Sequence, residues 1–260
     1  MGRIVSIANQ KGGVGKTTTA VNLGASLAAA EKRVLVVDVD PQGNASSGLG
    51  YPPGSVEDSV YDALLEGRPV AELLKGTALP FLSLLPAHPD LVGAELELAD
   101  LPEREHKLKR ALAAVAGDFD FILIDSPPSL GLLTLNALVA AEAVIIPMQC
   151  EYFALEGLGQ LVSTIERVRA RLNPTLEIEG IVFCMYDSRT NLTAQVVQEV
   201  RGHFDGKVFE TVIPRNVRLS ESPSFGQPIL LYDVSSRGAQ SYLALAREYL
   251  GRRAPQVAAP

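Results

Sequence analysis

Residues 9–19 read Asn-Gln-Lys-Gly-Gly-Val-Gly-Lys-Thr-Thr-Thr and lie between an apolar run and an alanine-rich stretch. The residue types suit a phosphate. Glycines let successive backbone N–H groups converge on an anion, Lys16 adds a charge that reaches the outer phosphates, and the Thr17 hydroxyl can ligate Mg²⁺. The candidate cradle is therefore Gly12, Gly13, Val14, Gly15, Lys16, Thr17 and Thr18, backed by the positive end of the helix that follows. The competing reading is a glycine-rich turn with two solvated lysines. The order strand, loop, helix, which the phosphate chemistry requires, argues against it.

Two further segments offer carboxylates at the ends of apolar runs. Arg33 to Val37 leads into Asp38-Val39-Asp40-Pro41-Gln42-Gly43-Asn44, and Phe119 to Ile124 leads into Asp125-Ser126-Pro127-Pro128. Ligand sites in open parallel sheets gather at strand carboxyl ends, so these positions suit chemistry. Asp125 is a candidate for holding magnesium through water. Asp38 and Asp40 have a second explanation, since short acidic side chains also cap backbone N–H groups in turns. His88 is read as a loop residue, because no nucleophile pattern accompanies it.

The elements that would position these groups alternate. Buried strands are expected at Arg3 to Ala8, Arg33 to Val37, Phe81 to Leu85, Phe119 to Asp125, Ala143 to Met148, Ile178 to Met185 and Val208 to Pro214. Helical patterns fall at Thr17 to Ala30, Val56 to Leu65, Leu91 to Leu98, Glu103 to Ala116, Leu130 to Ala141, Leu161 to Leu172 and Ser236 to Leu250. This is an α/β pattern. One domain over residues 1–250 is expected, with residues 251–260 as a disordered C-terminal tail.

The composition narrows the class. No apolar segment of the 260 residues approaches a membrane span and no signal-peptide pattern precedes the first strand, so a cytoplasmic chain is expected. Cys150 and Cys184 lack C-x-x-C spacing, so packing is the expected role. The net charge of −7 is uneven. Residues 1–165 hold 11 Lys and Arg against 20 Asp and Glu, whereas residues 166–260 hold 12 against 10, so basic character is confined to the last third. A local patch there can still meet a phosphate backbone.

The strict pattern G-x-x-x-x-G-K-[ST] would need glycine where Gln10 stands, and Lys11 follows it. Lys-Gly-Gly-Val-Gly-Lys-Thr instead resembles the deviant Walker A loop of the ParA/MinD superfamily of dimerising ATPases. The segments Asp38 to Asn44, Asp125 to Leu130 and Ile213 to Ser224 resemble the ParA/Soj branch, and the resemblance covers Ile4 to about Leu250. It implies a P-loop NTPase fold with a mainly parallel twisted sheet between helices on both faces, binding ATP and Mg²⁺. It further implies that Lys16 and the loop hold phosphates, Thr17 and Asp125 secure Mg²⁺, and Asp40 orients the attacking water. Lys11 would reach the partner's nucleotide across a homodimer interface that also contains Gly12. Pro214 and Asn216 would lie against adenine, and Arg189 and Arg218 would contact non-specific double-stranded DNA. A ParB-type partner and nucleoid association follow from the same resemblance. For the arginines, pairing with Asp187 or Glu221 is the structural alternative. A MinD-like membrane-recruited ATPase is the alternative function, although the proline-interrupted tail lacks the basic amphipathic helix it would need.

Overall fold

The computed structural model describes residues 2–253. Seven strands form one sheet: β1 (Arg3–Ile7), β2 (Val34–Asp38), β3 (Lys75–Gly76), β4 (Leu82–Leu85), β5 (Phe121–Asp125), β6 (Ala143–Met148) and β7 (Glu177–Phe183), in the spatial order β3-β4-β2-β5-β1-β6-β7. All pairings are parallel except β3 with β4, which is antiparallel. Every residue of β2, β5 and β6 is buried. That is why these strands read as continuous apolar runs without alternation.

Helices cover both faces. Lys16–Ala29 and Arg237–Arg253 pack on one, and Leu91–Ala99, Leu132–Ala140, Ala154–Arg171 and Asn191–His203 on the other. The first helix lies so close to the sheet that a Cβ on Gly24 would come within 3.0 Å of the Val36 side chain. Because β1 is central, the loop it feeds emerges between the carboxyl ends of β5 and β6. The register then sets Asp38 opposite Asp125 and Ile7 opposite the same Asp125.

Several expected elements differ. Val208 to Pro214 does not form a strand and pairs with the sheet at two isolated bridges, Ile181 with Val208 and Tyr186 with Pro214, and through the Ile213 N–H donated to the Phe183 carbonyl at 2.8 Å. Between those bridges the Glu248 carboxylate accepts the N–H groups of Glu210 and Thr211, at 2.8 and 2.9 Å, in place of a ladder, and Pro214 has no N–H to donate. The seventh strand is instead the two-residue antiparallel β3. Val56 to Leu65 shortens to a wide turn at Asp62–Glu66, where the Asp62 carboxylate accepts the Ser59 N–H at 2.7 Å. The helix expected over Leu161 to Leu172 starts earlier and runs over Ala154–Arg171. Asn191–His203 is an additional helix, begun by the Thr190 hydroxyl accepting the Thr193 N–H. The final helix continues to Arg253, so residues 251–253 belong to it and not to a tail; residues 254–260 lie outside the described residues.

Candidate functional site

The loop after β1 is anchored before it turns. Asn9 donates its amide to the Pro147 carbonyl at 2.7 Å and accepts the Lys11 N–H at 3.0 Å. Gly13 and Gly15 then take left-handed φ values of +72° and +97°, which explains glycine at both positions. Gly12 and Gly13 face open space, leaving the backbone accessible, while the Val14 side chain is buried beneath it. Gly15 packs against Cys184, and Gln149 donates to the Gly13 carbonyl at 3.0 Å.

The two loop lysines occupy different surroundings. Lys16 is buried and donates to the Lys11 carbonyl at 3.1 Å. Burial lowers its pKa, while the charges of Asp125 and Asp40 push it back up. Lys11 extends outwards and pairs with Glu151, which precedes the exposed aromatic residues Tyr152 and Phe153.

Three carboxylates line up beside this loop and divide into distinct roles. Asp125 is fully buried, and neither of its oxygens has a hydrogen-bond partner. Burial raises its pKa well above the carboxylate range, Asp38 adds to the rise, and the Thr17 hydroxyl offsets part of it without forming a hydrogen bond. An orphaned buried carboxylate beside a threonine hydroxyl fits a hard divalent cation that takes oxygen ligands. Among the described residues no three His, Cys, Asp or Glu side chains converge to hold an ion alone, so phosphate and water would complete such a shell.

Asp38, also fully buried, is occupied by protein donors. Its Oδ2 accepts the Ser46 N–H at 2.8 Å and the Ser46 hydroxyl at 2.7 Å, and its Oδ1 accepts the Asp40 N–H at 3.2 Å. Burial pushes its pKa up to about 6, against the pull of the Ser46 and Asp40 hydrogen bonds. Asp40 combines both readings of its sequence. Its Oδ1 accepts the Gln42 N–H at 3.0 Å, an Asx turn, yet the residue lines the same cleft as Lys16 and Thr17.

That cleft, of about 570 Å³, runs from Gly12 and Gly13 past Thr17 and Thr18 to a wall containing Pro214, Arg215 and Asn216. Pro214 lines that wall. Asn216 also lines it, but its Oδ1 is taken by the N–H of Arg218, capping the short helix Val217–Glu221. Met185 lines the same wall in a left-handed backbone conformation, φ +50°. Neither Met185 nor the Gln149 clamp carried a sequence signal, since no motif marks a residue one or two past a strand.

Arg189 and Arg218 lie outside the cleft lining. The Arg189 guanidinium bonds Asp187 through Nε at 2.8 Å and Nη2 at 2.6 Å, and its side chain is 86% exposed. Arg218 pairs with Glu221 at 2.9 Å and lies over the Tyr232 ring. Both of the acidic alternatives anticipated for these arginines are thus present, on an accessible surface.

A family model described as an AAA domain matches residues 2–178. Over 256 residues the chain is 59% identical to the chromosome partitioning protein ParA of Myxococcus xanthus, covering 98% of this chain and 90% of that protein. It is 58% identical to the sporulation initiation inhibitor protein Soj of Bacillus subtilis, covering 95% of this chain and 98% of that one. Among solved structures, cobyrinic acid a,c-diamide synthase from Mycobacterium smegmatis with bound ADP and magnesium superimposes with a TM-score of 0.83 at 42% identity, covering 95% of this chain and 93% of the other. The septum site-determining protein MinD from Pyrococcus horikoshii, complexed with Mg-ADP, gives 0.79 at 28% identity, covering 95% and 96%.

Proposed function

The chain belongs to the ParA/Soj family of chromosome-partitioning ATPases, and from that membership and the cleft geometry we propose how its residues bind and hydrolyse ATP. One observation carries the reading: Lys16, Thr17 and Asp40 face a single cleft at the head of the loop, with the unpartnered Asp125 carboxylate buried beside it. The exposed backbone of Gly12 and Gly13 and the start of the helix Lys16–Ala29 bind the phosphates. Lys16 swings from the Lys11 carbonyl onto them. Thr17 and Asp125 would hold Mg²⁺, which would supply neutralising charge to the phosphates. Asp40 orients water for in-line attack at the γ-phosphorus, giving ADP and phosphate. Pro214 and Asn216 wall the adenine end.

Catalysis here is positioning and charge stabilisation, and a dimer can bring a further cation to the γ-phosphate. Lys11 of the opposite subunit supplies it across a sandwich dimer that closes over Gly12. In the separate subunit Lys11 must first leave Glu151. The dimer doubles the exposed Arg189 and Arg218 and binds double-stranded DNA without sequence preference, in the cytoplasm on the nucleoid, and a ParB-type partner stimulates turnover. Relatives named for chromosome partitioning match at 59% and 55% identity, above the diamide synthase and MinD structures, and favour this reading over amide synthesis or membrane positioning. The test is DNA retention with ATP, ADP and no nucleotide across a salt series. Retention specific to ATP is expected; equal retention in all three conditions refutes the switch.

A further inference from the structure

Side by side at the ends of β2 and β5, Asp38 and Asp125 are both fully buried, yet only Asp125 keeps its oxygens free. Every contact of Asp38 goes to protein donors, and it is absent from the cleft lining that contains Asp40. A buried carboxylate saturated in this way is an internal anchor, because each displaced donor would leave an unpaired polar group in a dry environment.

The donor that saturates it is Ser46. This residue lies in the short helix Asn44–Gly48, is buried, and turns both its N–H and its hydroxyl onto the same Asp38 oxygen. Its Oγ also accepts the Ala87 N–H at 3.0 Å, from the segment just beyond β4. A continuous chain results: Ala87 N–H to Ser46 hydroxyl, Ser46 to Asp38, and Asp38 to the Asp40 N–H. On its other side Asp40 accepts the Gly43 N–H at its carbonyl, at 2.9 Å. The backbone of Asp40 is thus pinned from both directions, and one of the two pins is referred through Ser46 to the strand layer.

We propose that Ser46 is a positioning residue for ATP hydrolysis, holding Asp40 in its water-orienting place by bracing Asp38 against the segment after β4. The inference rests on the reading of Asp40 given above. Ser46→Ala keeps the backbone donor to Asp38 but removes the hydroxyl and strands the Ala87 N–H. Asp38 and the Asp40 turn can then relax together. Misplacement of a reacting group by about 1 Å costs on the order of a hundredfold in rate, so a smaller shift should cost roughly tenfold or more in kcat. Phosphate binding by residues 12–18 is untouched by the change.

The experiment uses the full chain with Mg-ATP and double-stranded DNA, comparing wild type, Ser46→Ala, Ser46→Cys and Asp40→Ala. Ser46→Cys fills nearly the same space but donates only weakly, and provides the reading if the alanine variant does not fold. Expected for a Ser46 variant is a kcat lowered by roughly tenfold or more, with KM for ATP within about twofold and an ATP-dependent dimer fraction equal to or above wild type. A folded Ser46 variant with wild-type kcat, or one whose lost turnover is matched by lost dimer, overturns the proposal. Asp40→Ala is the control for the underlying reading. Undiminished turnover in that variant removes Asp40 from its role, and this inference with it, whereas slow Asp40→Ala beside wild-type Ser46 variants sinks this inference alone.

Discussion

Arg189→Ala separates the two readings of the basic surface. In the folded subunit the Arg189 guanidinium has one acidic partner, Asp187, and its side chain is 86% exposed. Ion pairs in such surroundings add little to folding, because water already solvates both groups and salt screens what remains. The thermal melting curve should therefore not move measurably. DNA retention should change a great deal. Two copies each of Arg189 and Arg218 give four phosphate contacts per dimer, and about 0.9 per contact sets a log–log salt slope of roughly 3.6. Raising salt fourfold should then weaken wild-type retention about 150-fold, and the variant, with two contacts and a slope of roughly 1.8, about 12-fold. Asp187 sharpens the contrast. Arg189 holds its carboxyl well below the usual range, and removing the arginine leaves that negative charge facing the DNA. Filter retention of a labelled duplex with ATP, over a fourfold salt range, measures both slopes. An unchanged slope refutes the assignment, as does a lowered melting temperature that accounts for the loss.

Other consequences follow from the same geometry. Gly12→Val should melt like wild type and still bind ATP, because a Cβ there meets nothing within 4 Å in the subunit, yet it should stay monomeric by light scattering; an ATP-dependent dimer would show that no second loop packs on Gly12. Glu151→Gln removes the in-chain partner of Lys11, and since exposed pairs contribute about 0.2–1 kcal/mol and both subunits lose one on dimerising, the dimer should form at roughly two- to thirtyfold lower protein concentration in analytical ultracentrifugation with ATP. Asp38 and Asp125 both have raised pKa values, the former about 6, so the folded state holds their protons more tightly than the unfolded chain. Stability of the nucleotide-free protein should consequently rise as pH falls from about 7 towards 5, by linkage, and Mg-ATP should flatten that slope. Urea titrations at several pH values check the sign, and a stability that falls over this window contradicts it.

How much of this was legible in the sequence depends on whether the deciding physics was local. The phosphate loop was, because glycine at a left-handed φ and a lysine beside it are local requirements. The central strands were too, because burial on both faces writes itself as an unbroken apolar run. Val208 to Pro214 carries the same apolar signature but fails as a strand, and Glu248 is part of the reason, because its carboxylate takes the Thr211 N–H that lies between the two N–H groups, of Phe209 and Ile213, that do reach β7. No window around residue 210 contains that information. Asp38 and Asp125 make the same point at the site itself. Each ends a buried strand after aliphatic residues, and by that pattern both are candidates for the metal. Sheet order sets them opposite one another, where two unpartnered buried carboxylates would repel at close range and each would pay the full cost of losing water. The fold resolves the conflict with a third residue: Ser46 neutralises the demand of Asp38 with two donors and leaves Asp125 unsatisfied. The division of labour between the two aspartates is therefore set by a serine eight residues downstream of one of them. A prediction follows from that logic. Exchanging the donor for an acceptor, in Ser46→Asp, should place a third carboxylate against the pair and unfold the nucleotide-free protein at neutral pH, with partial recovery near pH 5; a variant as stable as wild type at pH 7 would show that Asp38 does not depend on Ser46 for its charge.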